Sequence, residues 1–128
     1  MPSAKPIVAI VDNDLSLLKA LARLVRAFGY QTEMYASAEE FLLRGDISAV
    51  ACLVLDINLD GMSGLALQKR LRNTKSKKPD AAILPVIFIS GRDDLATIGE
   101  AFDDRCAAYL HKPVDSHTLR TLLNNLLT

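Results

Sequence analysis

The chain has 128 residues, with 15 Lys and Arg against 15 Asp and Glu, and 50% hydrophobic residues against 23% charged. That hydrophobic share excludes a chain left disordered for want of a core, the length suits one domain over residues 1–128, and the balanced charge provides no global positive field to hold nucleic acid. No stretch approaches the roughly 18 apolar residues needed to cross a bilayer, and Met1-Pro2-Ser3-Ala4-Lys5 has no apolar signal segment behind it.

The first unbroken apolar run, Ile7 to Val11, reads as a strand and ends in Asp12-Asn13-Asp14. Leu18, Leu21, Ala22, Val25 and Phe28 then recur near 3.6 residues and stop at Gly29, the pattern of an amphipathic helix for which Asp14 is the expected cap. Gln31 to Tyr35 mixes polar and apolar residues as an edge strand does. Ser37 followed by Glu40 offers a capping box for a second helix with Ala38, Phe41 and Leu42 behind it.

Val50 to Leu55 is the next continuous run, followed by Asp56 and, two positions on, Asn58. Cys52 lies inside it, where a thiol behaves as a small hydrophobe, and with Cys106 as the only other cysteine a reduced, cytoplasmic setting fits best. Leu67 and Leu71 mark a third helix, and Asn73 to Ala82, with Lys75, Lys77, Lys78 and Pro79, reads as a solvated loop. Val86 to Ile89 is the fourth run, ending in Ser90-Gly91; Leu95, Ile98 and Phe102 predict a fourth helix. Ala107 to Leu110 is the last strand, followed by Lys112-Pro113, and Leu119, Leu122, Leu123 and Leu126 form a fifth helix capped by Asp115.

Continuous apolar runs suit strands covered on both faces, which belong to parallel sheets. Strict alternation of strand and helix therefore predicts an α/β, doubly wound, five-stranded parallel sheet with five helices, whose functional residues lie at the carboxyl ends of the strands. Those ends carry Asp12, Asn13, Asp14, Asp56, Asn58, Ser90 and Lys112. Two neighbouring carboxylates repel, and a divalent cation resolves the repulsion. Mg2+ suits such a site because it binds through one or two carboxylates plus phosphate oxygens. A lysine ammonium and a serine hydroxyl facing it would hold further phosphate oxygens, and an aspartate is an adequate nucleophile for phosphoryl transfer, with Asp56 best placed.

This constellation resembles the receiver domain of bacterial response regulators in two-component signalling. The matching residues are Asp12-Asn13-Asp14, Leu55-Asp56, Gly61-Met62-Ser63-Gly64, Ile89-Ser90-Gly91, Tyr109 and Lys112-Pro113, and they cover nearly the whole chain. The resemblance implies a flavodoxin-like strand order 2-1-3-4-5 and Asp56 as acceptor of a phosphoryl group from a histidine kinase or phosphotransfer protein. It also implies a Lys112 contact to that group, Ser90 as its sensor, and Mg2+ held by Asp12, Asn13, Asp56 and the Asn58 carbonyl. Tyr109 would be the switch aromatic, remodelling the face of helix four, strand five and helix five for an output partner, an attached effector or a second protomer.

The family usually has two adjacent acids after the first strand, whereas Asn13 follows Asp12 here and removes a formal charge from the metal site. Leu59-Asp60 replaces the usual methionine-proline, and Gly91 follows the switch hydroxyl. Asn13 keeps open a pseudo-receiver that serves as a constitutive docking module. An enzyme binding nucleotide or flavin would need a Gly-rich turn after strand one, which is missing. His111 and His117 are read as surface residues.

Overall fold

The computed structural model describes residues 5–45, 47–73, 84–91 and 108–127. Its elements in chain order are β1 (Ile7–Val11), α1 (Leu15–Ala27), β2 (Gln31–Tyr35), α2 (Ala38–Leu43), β3 (Val50–Asp56), α3 (Gly64–Asn73), β4 (Val86–Ser90), β5 (Ala108–His111) and α4 (Ser116–Leu127). The strands form a single parallel sheet in the order β2-β1-β3-β4-β5. The expected strand order and doubly wound architecture are met. Four helices lie among the described residues; the predicted helix through Leu95, Ile98 and Phe102, the basic loop after Asn73, and Cys106 lie outside them.

Alternation along each strand divides the core in two and explains why the runs are apolar without interruption. Ala9, Val11, Leu53, Leu55 and Phe88 face one side and pack with Phe41 of α2 and Leu67 of α3. Val8, Ile10, Cys52, Val54, Ile87 and Ile89 face the other and pack with Leu18, Leu21 and Val25 of α1 and with Leu119 and Leu123 of α4. β2, read as an edge strand, is only partly buried, as an outermost strand must be.

The helix starts follow the expected caps. Asp14 Oδ1 accepts from the Ser16 and Leu17 N–H groups at 3.0 and 3.2 Å, and Asp115 Oδ2 accepts from Thr118 N–H at 2.8 Å. Ser37 Oγ accepts from Glu40 N–H at 3.1 Å, but the return bond from Glu40 goes to the Ala36 N–H, one residue before the cap. α1 gives way at Gly29, whose φ of 102° is open to glycine at no steric cost. The strand order reverses at β1 and β3, so the crevice opens above their carboxyl ends.

Candidate functional site

β3 and β4 each run one residue further than their apolar runs, so Asp56 and Ser90 are the last strand residues rather than the first loop residues. The ladder fixes both: Asp56 pairs with Ile89, and Ser90 with His111. Asp12 directly follows β1, anchored by its N–H donating to the Tyr35 carbonyl at 3.1 Å. Lys112 directly follows β5, and its N–H donates to the Ser90 carbonyl at 2.8 Å. Four residues distant in sequence are thereby held at the ends of four successive strands by backbone geometry alone.

The two acids are arranged alike. Asp12 Oδ1 accepts from the Asp14 N–H at 2.8 Å, and Asp56 Oδ1 accepts from the Asn58 N–H at 3.0 Å. Each is an Asx-type turn that spends one carboxylate oxygen on the chain two residues ahead. The other oxygens both meet Lys112: its Nζ donates to Asp56 Oδ2 at 3.0 Å and lies 3.4 Å from Asp12 Oδ2. The Asp12 and Asp56 side chains are 1% and 3% exposed, whereas that of Lys112 is 26% exposed, so the cation closes an otherwise buried pair toward solvent.

Burial pushes the Asp12 carboxyl above its ordinary range; the Asp14 N–H pulls it back and the neighbouring Asp56 charge pushes it up further. For Lys112 burial favours the neutral amine, but Asp56 and then Asp12 outweigh it, and the ammonium holds its proton more tightly than a free lysine. Asp12 Oδ2 is buried and receives no hydrogen bond among the described residues, its contact to Lys112 being one of charge. A buried carboxylate oxygen without a donor is an incomplete site.

Among the described residues no three His, Cys, Asp or Glu side chains cluster, so the donor set is two carboxylates and neutral oxygens. That hard, weakly charged set fits Mg2+, which keeps several waters, rather than a zinc-type cage. Asp12 and Asp56 would hold the ion, with Asn13 and the Asn58 carbonyl nearest them in the chain.

The remaining expected residues take distinct places. Ser90 is buried, 2% exposed, and tied through its carbonyl to Lys112. Asn13 is exposed at the rim, where its Nδ2 donates to Asp60 Oδ2 at 3.1 Å. Asp14 caps α1 and is exposed. Tyr109 is half-buried and packs against the α2–α3 side of the core, its ring edge-on to His111 at 5.1 Å between centroids. The Tyr109 hydroxyl is buried without a hydrogen-bond partner among the described residues. His111 and His117 are exposed, as read.

Two contacts escaped the sequence reading. Asp60 was legible as a departure from the usual pattern, but nothing local announces its bond to Asn13 across 47 positions. Glu39 of α2 accepts from the Met62 N–H at 3.3 Å and crowds Gly61, gripping the loop between β3 and α3. At the end of that loop Gly64 is indispensable: a Cβ there would run into the Asp56 carbonyl oxygen and lie 3.0 Å from Ile57 Cα. Gly64 N–H donates to the Ile57 carbonyl at 3.1 Å, drawing the start of α3 against the end of β3.

The profile of the family described as Response regulator receiver domain matches residues 8–124. The chain belongs to the response regulator receiver family. Among curated relatives, the response regulator protein TodT of Pseudomonas putida is 34% identical over 113 residues, covering 88% of this chain and 47% of TodT. The chain spans about half the length of the curated relatives it matches first. A response regulator receiver protein from Burkholderia phymatum is 34% identical with a TM-score of 0.76 and 95% of each chain covered. One from P. putida is 25% identical with a TM-score of 0.84, covering 97% of this chain and 99% of the other. Receiver domains of this family are signalling phosphoacceptor modules of two-component systems rather than classical enzymes, and they generally bind Mg2+ at the phosphorylation site. Among the described residues no helix is long and apolar enough to cross a membrane.

Proposed function

We propose that the chain is a phosphorylation-dependent signalling switch that takes a phosphoryl group on Asp56 from a histidine kinase or phosphotransfer protein. The observation that carries this reading is the Lys112 ammonium set between Asp12 Oδ2 and Asp56 Oδ2 at the crevice of the sheet. An Asp56 carboxylate oxygen attacks phosphorus in line, the new P–O bond forms, and the P–N bond to the donor imidazole breaks, its electron pair and a proton remaining on the imidazole. Lys112 leaves its ion pair with the free carboxylate and takes up a phosphoryl oxygen as negative charge accumulates. Ser90 donates its hydroxyl to another phosphoryl oxygen. Asp12, Asn13, Asp56 and the Asn58 carbonyl would hold Mg2+, which would supply charge neutralisation beside the reacting oxygens.

The proposed readout is local. Ser90 is tied to Lys112 through the backbone, and Tyr109 lies on β5, the strand that Lys112 directly follows, so a shift of Ser90 would alter the packing of the Tyr109 ring. The face of β5 and α4 is where an output partner, an attached effector or a second copy would bind. The reading treats residues 1–128 as one receiver unit acting in the cytoplasm.

Incubation with a small acyl phosphate and Mg2+, followed by intact mass, tests the reading. The expected result is one added phosphoryl group on the wild type and none on Asp56→Ala. An unmodified wild type removes this reading and leaves the constitutive docking module that Asn13 suggests.

A further inference from the structure

Asn13 stands where the family resemblance leads one to expect an acid and Asp60 where it leads one to expect a proline, and the two side chains touch. Asn13 Nδ2 donates to Asp60 Oδ2 at 3.1 Å, both side chains being exposed at the rim. Asp14, the other acid available to make up the charge, spends its carboxylate on the first turn of α1.

We infer that Asp60 is a positioning residue for cation binding, holding the Asn13 carboxamide so that its oxygen, not its nitrogen, is offered to the ion beside Asp12. This deepens the proposed function and rests on it, because it presumes that Mg2+ binds at Asp12 and Asp56. A carboxylate accepts hydrogen bonds and donates none, so it selects the NH2 end of the amide and leaves the carbonyl oxygen for other partners. Without that selection the amide turns freely, and in half of its orientations it presents a donor to a cation. The buried Asp12 Oδ2, which receives no hydrogen bond among the described residues, is the independent sign of a ligand place at Asp12, the residue next to Asn13. Outer partners of metal ligands commonly govern affinity by about 10–100-fold when removed. An exposed pair belongs at the lower end of that range.

The test is titration of the full chain with Mg2+ alone, followed by amide chemical shifts, for wild type, Asp60→Ala, Asp60→Asn, Asn13→Ala and the Asn13→Ala/Asp60→Ala double variant. Asp60→Ala is expected to weaken Mg2+ about tenfold. Asp60→Asn, whose amide donates as well as accepts and so no longer selects the NH2 end of Asn13, is expected to lose part of that affinity. Adding Asp60→Ala to Asn13→Ala is expected to change affinity by less than about twofold, because no amide remains to be oriented. An equal loss in both backgrounds makes Asp60 a mere surface charge and overturns the inference. A wild type that binds Mg2+ alongside an unchanged Asp60→Ala overturns this inference alone, whereas a wild type that binds no Mg2+ overturns the proposed cation site and the inference with it.

Discussion

Asp56 and Lys112 hold each other at 3.0 Å across the carboxyl ends of β3 and β5, with β4 between them. Asp12 approaches the same ammonium from β1 at 3.4 Å. A sheet built only for stability would not gather two nearly dry carboxylates at one point. Their mutual repulsion and lost hydration are a stored cost that the Lys112 ammonium offsets in part and that a bound cation would offset further.

That cost gives the first prediction. The carboxyl of Asp12 binds its proton more tightly in the fold than in the unfolded chain. As pH rises above its ordinary value of 3.8, the unfolded chain deprotonates first and stability falls, reaching its full penalty above the raised folded value. Asp12→Asn should therefore stabilise the protein at neutral pH by about 0.5–2 kcal/mol, with the difference closing toward acid. Urea denaturation of both proteins across the acidic range reads this directly.

Lys112→Ala has the opposite effect. It leaves two buried carboxylates facing one another, and stability at neutral pH should drop by about 1–3 kcal/mol. Since the lysine's proton affinity is raised in the fold, its contribution is complete below the ordinary value of 10.5 and lost only as pH climbs through the higher folded value. Melts at pH 7 with millimolar Mg2+ should recover part of the loss.

Gly64 is held by close backbone approach, not by a positive φ. Gly64→Ala forces the start of α3 away from Asp56, and about 1–3 kcal/mol of stability should be lost even though alanine favours helices. Gly91→Ala serves as the contrast, for its Cβ would meet only Lys112 Cδ at an ordinary 3.6 Å. Paired urea titrations separate the two.

The buried Tyr109 hydroxyl satisfies nothing among the described residues. Tyr109→Phe should therefore be neutral or stabilising by up to about 1 kcal/mol, where an ordinary buried tyrosine would lose a hydrogen bond. Thermal unfolding compared with wild type decides it.

The sheet was legible because alternating faces buried against helices on both sides demand continuous apolar runs, and Val50 to Leu55 could hardly be read otherwise. Asp12, Asp56 and Lys112 were legible because the strand order brings strand ends together whatever the loops do. The rim was not: the Asn13–Asp60 bond and the grip of Glu39 on the Gly61–Met62 turn depend on how loops fold back, which no periodicity encodes. Nor did sequence indicate that Tyr109 would bury its hydroxyl unpaired, since an aromatic at a strand position packs equally well turned either way.

Reduction of the phosphorylated protein with borohydride, followed by peptide sequencing, tests the central claim most directly, since an acyl phosphate is converted to an alcohol at the residue that carried it. The account predicts homoserine at position 56, appearing only after treatment with the phosphoryl donor and Mg2+. Homoserine at position 12 or 60 with Asp56 untouched would contradict it.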